Sequence, residues 1–416
     1  MNQPEIIRSR SIVPITKPAI LNGALVVQEG KILAVDDWDT IRNLYSGPNI
    51  DLGEQVILPG LINTHCHLDY TLMSGKFTKP PSFTSWIQSM VQEKRQWSEA
   101  DFQNSWAVGF GKLLKTGTTC IGDTVSDPTR FEPQQIGDGP RLIPFYECIH
   151  LDGTTMNREQ LELITDKIKN FRTKKFSRAG ISPHALYTTS KELWRTIRSE
   201  ECLRSAPISI HLAESAEEFD LFSNNSGRMY EWFNTLGHLP KWGKGSPISL
   251  LEQSGHLSKG MIAAHVNMLG TGDLERLAEN DVQIVHCPRS HAYFDHPPFP
   301  IGDFQSRGIN ISLGTDSLAS VSDEHFPESL SLFHDMRLLS EGKNAVRPVS
   351  ILEMGTINGA KALGLDQVTG SLEPGKSADW ISLPWGGDSK GFYEQIIGHS
   401  EHVQSAWIDG KRFDFN

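Results

Sequence analysis

The chain lacks any cysteine pattern. Its five cysteines, Cys66, Cys120, Cys148, Cys202 and Cys287, are odd in number, widely spread and contain no C-x-x-C pair. That spacing excludes a disulfide framework and makes a reducing cytoplasm the expected compartment. A basic excess is also missing: 39 Lys and Arg against 50 Asp and Glu leave a formal net charge of −11. Neither nucleic acid nor an anionic membrane surface is therefore expected as a partner. No apolar run approaches the roughly 20 residues of a bilayer span. Pro14, Lys17 and Pro18 break up the start of the chain, which reads as no secretory leader. Internal repeats are absent. A glycine-rich nucleotide loop is begun by Gly109 and Gly111 but not completed, since Leu114 holds the third glycine position.

What the chain does have is alternation. Of its 416 residues 38% are hydrophobic, enough for one large barrel with an appendage. Strand-like runs at 56–64, 118–123, 141–148, 179–182, 208–212, 260–265, 282–287 and 310–314 are separated by amphipathic, helix-like stretches. This pattern predicts a parallel sheet with right-handed crossovers, and eight such units predict an α/β fold closed as a (β/α)₈ TIM-type barrel over residues 59–369. The ends read differently. Strand pieces at 11–15, 24–28 and 31–35, and again at 378–383 and 403–407, are joined by turns. Neither end could close a core alone, so residues 1–58 and 370–416 are expected to form one small, discontinuous β-sandwich domain.

Chemistry gathers at the strand ends. His65 and His67 close the first barrel strand, and residues two apart in a strand share a face. Two imidazoles turned into the barrel make half of a metal site, against the competing reading of a hydrogen-bonded core pair. Cys66 points the other way and reads as a small apolar residue. His211 ends the fifth strand and could supply a third ligand. Glu214 follows in the loop, where barrel enzymes carry catalytic groups; alone, it could equally be a helix N-terminal carboxylate. His265 ends the sixth strand, and Asp316 follows the eighth as a metal ligand, a general base or a plain turn residue. Four strands thus bring titratable groups to one rim.

Together these segments resemble the amidohydrolase superfamily, in particular its cytosine/adenosine-type deaminase and chlorohydrolase branch. The matching residues are Pro59-Gly-Leu-Ile-Asn-Thr-His-Cys-His67, Ser182-Pro-His-Ala-Leu-Tyr187, His211-Leu-Ala-Glu-Ser215, His286-Cys-Pro-Arg-Ser290 and Gly314-Thr-Asp-Ser317. Asn358–Gly364 and the turn 370–379 extend the likeness over nearly the whole chain. The resemblance implies one divalent metal ion, zinc or alternatively iron, on His65, His67, His211 and Asp316. Two-metal relatives carry a lysine at the end of the fourth strand; Gly180-Ile-Ser-Pro-His184 has none, which implies a mononuclear site. By the same resemblance Asp316 orients and deprotonates the metal-activated water, Glu214 protonates a ring nitrogen, His265 supports the attacking oxygen and His184 touches substrate. The implied activity is hydrolytic deamination of an aminated heterocycle, a purine nucleoside-like, pteridine or pyrimidine substrate. A chlorohydrolase or cyclic amide hydrolase would use the same site, and a non-catalytic binding relative is the remote alternative. A homo-oligomer, dimer or tetramer, is the expected assembly.

One departure concerns specificity. Many deaminases of this branch end the seventh-strand motif with Ser-Asn, where this chain has Ser290-His291. His291 and the aromatic loop 292–300 are expected to wall the pocket. Trp86 is a candidate substrate contact or a core anchor. The stretch 227–246 could cover the site, although helical spacing places Tyr230 and Phe233 in the core.

Overall fold

Gly60 divides what reads in sequence as one strand, and the division organises the molecule. In the computed structural model, which describes residues 3–130, 139–171, 178–321, 329–341, 345–385, 391–400 and 402–415, the expected run 56–64 is two strands, β5 (Gln55–Pro59) and β6 (Leu61–Cys66). A Cβ at Gly60 would lie 2.0 Å from Thr119 Oγ1, so only glycine lets the chain pass there from one sheet to the next.

Ahead of Gly60 run β1 (Glu5–Ile12), β2 (Ile20–Gln28), β3 (Lys31–Asp37) and β4 (Asn49–Asp51). The barrel strands after β6 are β7 (Thr118–Val125), β8 (Arg141–Cys148), β9 (Gly180–Pro183), β10 (Ser209–Leu212), β11 (Ile262–His265), β12 (Gln283–His286) and β13 (Ile311–Leu313). The chain returns through β14 (Trp380–Pro384), β15 (Ser405–Ile408) and β16 (Lys411–Asp414). Of these, β4 and β16 escape sequence reading, because three- and four-residue strands carry too little alternation to recognise, and β1 lies earlier than the expected piece 11–15, which it overlaps only at Ser11 and Ile12.

The barrel consists of two four-stranded parallel sheets, β6-β7-β8-β9 and β10-β11-β12-β13. Parallel bridges Ile181↔Ile208 and Cys66↔Asp316 close it on both seams. β6 to β13 are buried throughout, as expected of parallel strands enclosed by helices. Helices form where caps and apolar stripes coincide. The helix Glu99–Lys115, for example, starts at a reciprocal Ser98/Asp101 capping box and buries Phe102, Trp106 and Leu113.

Both termini share one sheet, in the order β16-β15-β14-β5-β1-β2-β3, with β4 paired to β1. β14 runs antiparallel to β5, placing Trp380 opposite Pro59. Ile7, Leu25, Val27, Ile32, Trp380 and Trp407 share one apolar cluster, with the two indoles stacked at 4.6 Å. The joint with the barrel is apolar, through Val56, Leu58, Ile381 and Val403 in the barrel's core cluster, and also ionic. Arg141, at the start of β8, holds Asp379 through two hydrogen bonds (2.7 and 3.2 Å) and also contacts Asp409. Among the described residues no helix is long and apolar enough to cross a membrane.

Candidate active site

The closure of the barrel assembles the site. Asp316 N–H donates to the carbonyl of His65 at 3.1 Å, so the first and last barrel strands meet where both carry a ligand-type side chain. His67 Nε2 and His211 Nε2 are 3.1 Å apart. Asp316 Oδ1 lies 3.6 Å from His67 Nε2 and 3.8 Å from His65 Nε2. Cys66 turns outward, with its Sγ 3.6 Å from the Gly122 carbonyl.

These contacts suit a cation. His211 Nδ1 must donate to the His184 carbonyl at 2.9 Å, which leaves Nε2 an unprotonated lone pair aimed into the cluster. Buried His65 Nε2 and His265 Nε2 have no hydrogen-bond partner among the described residues. Separations of 3.1–3.8 Å suit donor atoms sharing one small ion bonded at about 2.0–2.2 Å. The protonation states agree. Burial, reinforced by His211, holds the His65 imidazole down to about 3. Burial also keeps His67, His211 and His265 below the usual histidine range. For Asp316 burial pushes upward, but His265 and His65 outweigh it, and the carboxyl sits below its ordinary value. Neutral imidazoles beside an ionised carboxylate are what a metal ion requires.

Backbone strain marks the same positions. His265 (φ 74°), Asp316 (φ 53°) and Ala213 (φ 50°) are left-handed at or just beyond strand ends. Such conformations persist only where the surroundings over-determine them.

Glu214 leaves β10 on the turn made by Ala213. Its Oε1 is 3.6 Å from His265 Nε2. Burial, with Asp316 and Glu218 adding repulsion, pushes its carboxyl well above the usual range, which favours its acid form. Two neighbours fix it: Glu218 accepts the N–H groups of Ala213 (3.2 Å) and Glu214 (2.7 Å), and Asn267 donates to the Glu214 carbonyl at 2.9 Å. Sequence reasoning missed both. For Glu218 a signal existed, since Ser215-x-x-Glu218 has the spacing of a capping box.

The cluster forms the floor of a cavity of about 700 Å³. Phe83, Trp86, Tyr187 and Trp232 supply aromatic walls, and His184 lines it beside His211. Trp86 is both wall and anchor: its indole donates to the Ala319 carbonyl at 3.1 Å. Phe233 lines the cavity as well as being buried, and Trp232 and Leu236 of its helix, Gly227–Leu236, line it too. Tyr230 and His291 are not among the lining residues. His291 Nδ1 instead meets Asn267 Oδ1 at 3.1 Å. The loop 292–300 acts through Phe294, which packs edge-on against Phe83 and Trp86 at 5.1 Å.

A family model described as the amidohydrolase family matches residues 56–412. The chain belongs to that family. This amidohydrolase is a hydrolase acting on carbon–nitrogen bonds. It is 27% identical, over 96% of its own length and 91% of the relative's, to a 5-methylthioadenosine/S-adenosylhomocysteine deaminase of Desulfitobacterium hafniense. Among solved structures it is similar to a Xanthomonas campestris adenosine deaminase with bound zinc (TM-score 0.82, 22% identity, covering 99% of this chain and 93% of that one). It is also similar to Helicobacter pylori aminofutalosine deaminase (TM-score 0.84, 20% identity, 98% and 100%).

Proposed function

We propose that this amidohydrolase deaminates an aminated purine nucleoside-like substrate, using one zinc ion on His65, His67, His211 and Asp316. The observation that carries this reading is the convergence of those four donors beside the buried Glu214 and His265, at the floor of a cavity large enough for a nucleoside. The deaminase relatives support the leaving group. Under the same reading, residues 59–369 form the catalytic barrel, with 1–58 and 370–416 as a composite supporting unit.

The bound zinc supplies Lewis acidity that makes water nucleophilic at neutral pH. Asp316, ionised and steadied by a 3.2 Å hydrogen bond from Ser320 Oγ, accepts the proton released as water attacks. Glu214 donates its proton to the ring nitrogen next to the attacked carbon, which removes the cost of leaving charge on the ring. The proton that Asp316 took from water passes to Glu214, which delivers it to the departing amine, and the hydroxyl proton of the collapsing adduct restores Glu214 as the acid. His265 hydrogen-bonds the attacking oxygen through Nε2, the atom without a protein partner. His184 and Trp86 contact the substrate, while His291 acts through Asn267 on the backbone that carries Glu214.

Ammonia release from a panel of adenine nucleosides, pteridines, pyrimidines and triazines tests the reaction. Glu214→Gln keeps the shape but cannot relay a proton. It should retain zinc and substrate affinity while kcat falls by about 10²–10⁴. Near-normal turnover by zinc-loaded Glu214→Gln would refute the proton role.

A further inference from the structure

The cavity contains a carboxylate that this chemistry does not use. Glu147, next to last in β8, is 4% exposed and yet lines the cavity. No hydrogen-bond donor among the described residues reaches it. His184 and His211 each place a ring nitrogen within 4.8 Å of its carboxylate without a hydrogen bond to it. Lys94, at the end of the helix Phe83–Lys94, lines the same wall. Burial opposes the Lys94 ammonium, but Tyr70 and Glu147 outweigh it, and the ammonium lies 4.9 Å from the centre of the Tyr70 ring. Further out the wall is apolar, with Ile149, Leu151, Trp232 and Leu236.

Facing the cavity, this carboxylate is completed only by solvent or by a ligand. Burial pushes the Glu147 carboxyl up to about 7, with Lys94 on the same wall opposing the rise, so a neutral hydroxyl donor suits it better than a second cation. Two carboxylate oxygens can accept two hydroxyls at once. The carboxylate stands beside His184 and His211. We propose that Glu147 accepts hydrogen bonds from the vicinal hydroxyls of the substrate's sugar, making it the residue that selects ribosyl substrates over those without a diol. This rests on the deaminase reading above and adds the sugar to it.

The test compares zinc-loaded wild type with Glu147→Ala and Glu147→Gln, on adenosine and on 2′,3′-dideoxyadenosine. A charged hydrogen bond of this kind corresponds to a preference of about ten- to a hundredfold. Wild type should show that preference in kcat/KM for adenosine. Glu147→Ala should abolish it by raising the KM for adenosine, leaving the dideoxy substrate within about twofold; Glu147→Gln should retain part of it. Equal losses on both substrates would overturn the proposal. So would loss of zinc in Glu147→Gln, because Glu147 would then serve the metal site. Binding of inosine and 2′,3′-dideoxyinosine, measured by calorimetry, reads the anchor without turnover. A hydroxyl-dependent affinity that disappears in Glu147→Ala supports it even where wild type deaminates neither adenosine. Equal affinities in wild type overturn it.

Discussion

Replacing Glu218 by alanine tests the turn that presents Glu214. Both Glu218 oxygens receive backbone N–H groups, from Ala213 at 3.2 Å and Glu214 at 2.7 Å, and the residue is fully buried. Glu218→Ala orphans both donors while Ala213 remains left-handed at φ 50°. An unsatisfied buried donor costs about 1–3 kcal/mol, so the pair costs about 2–6 kcal/mol. Burial pushes the Glu218 carboxyl up to about 7, from 4.5 in an unfolded chain. The folded protein therefore binds this proton more tightly than the unfolded chain does. The stability it confers is complete below about pH 4.5 and is lost as pH rises through about 7, a change of up to about 3 kcal/mol. The gap between wild type and Glu218→Ala should thus be largest near pH 5 and narrow toward pH 8. Urea unfolding of the zinc-loaded proteins at both pH values, followed by circular dichroism, measures it. A gap below about 1 kcal/mol at pH 5, or one that widens with pH, would refute the reasoning.

Two further outcomes follow from the geometry. His211→Ala should lower zinc affinity by at least about tenfold, read as zinc per chain after dialysis against a weak chelator; full retention would remove His211 from the ligand set. Gly60→Ala sets a Cβ 2.0 Å from Thr119 Oγ1 and 2.2 Å from Thr119 Cγ2. Overpacking of this kind costs about 1–3 kcal/mol, and Thr119→Ala in the same chain should restore part of it in thermal melts. A double variant no more stable than Gly60→Ala would show that Gly60 is required for another reason.

The sequence by itself determined what short-range rules govern. His65 and His67 are legible as a pair because side chains alternate along a strand, and eight alternating units announce a parallel barrel. The branch resemblance then implied a role for His211, His265 and Asp316. Tertiary structure decided what depends on contacts between distant segments. The hydrogen bond from Asp316 to His65 exists only once the last barrel strand returns beside the first. Gly60 reads as a strand interior until Thr119 is packed against it. Glu147 and Lys94 are unremarkable in their own segments, and become a cavity feature only because a helix end and a strand end converge. His291 looks like a wall of the pocket in sequence but reaches Asn267 instead, since a side chain's direction at a loop start is set by its neighbours and not by local periodicity.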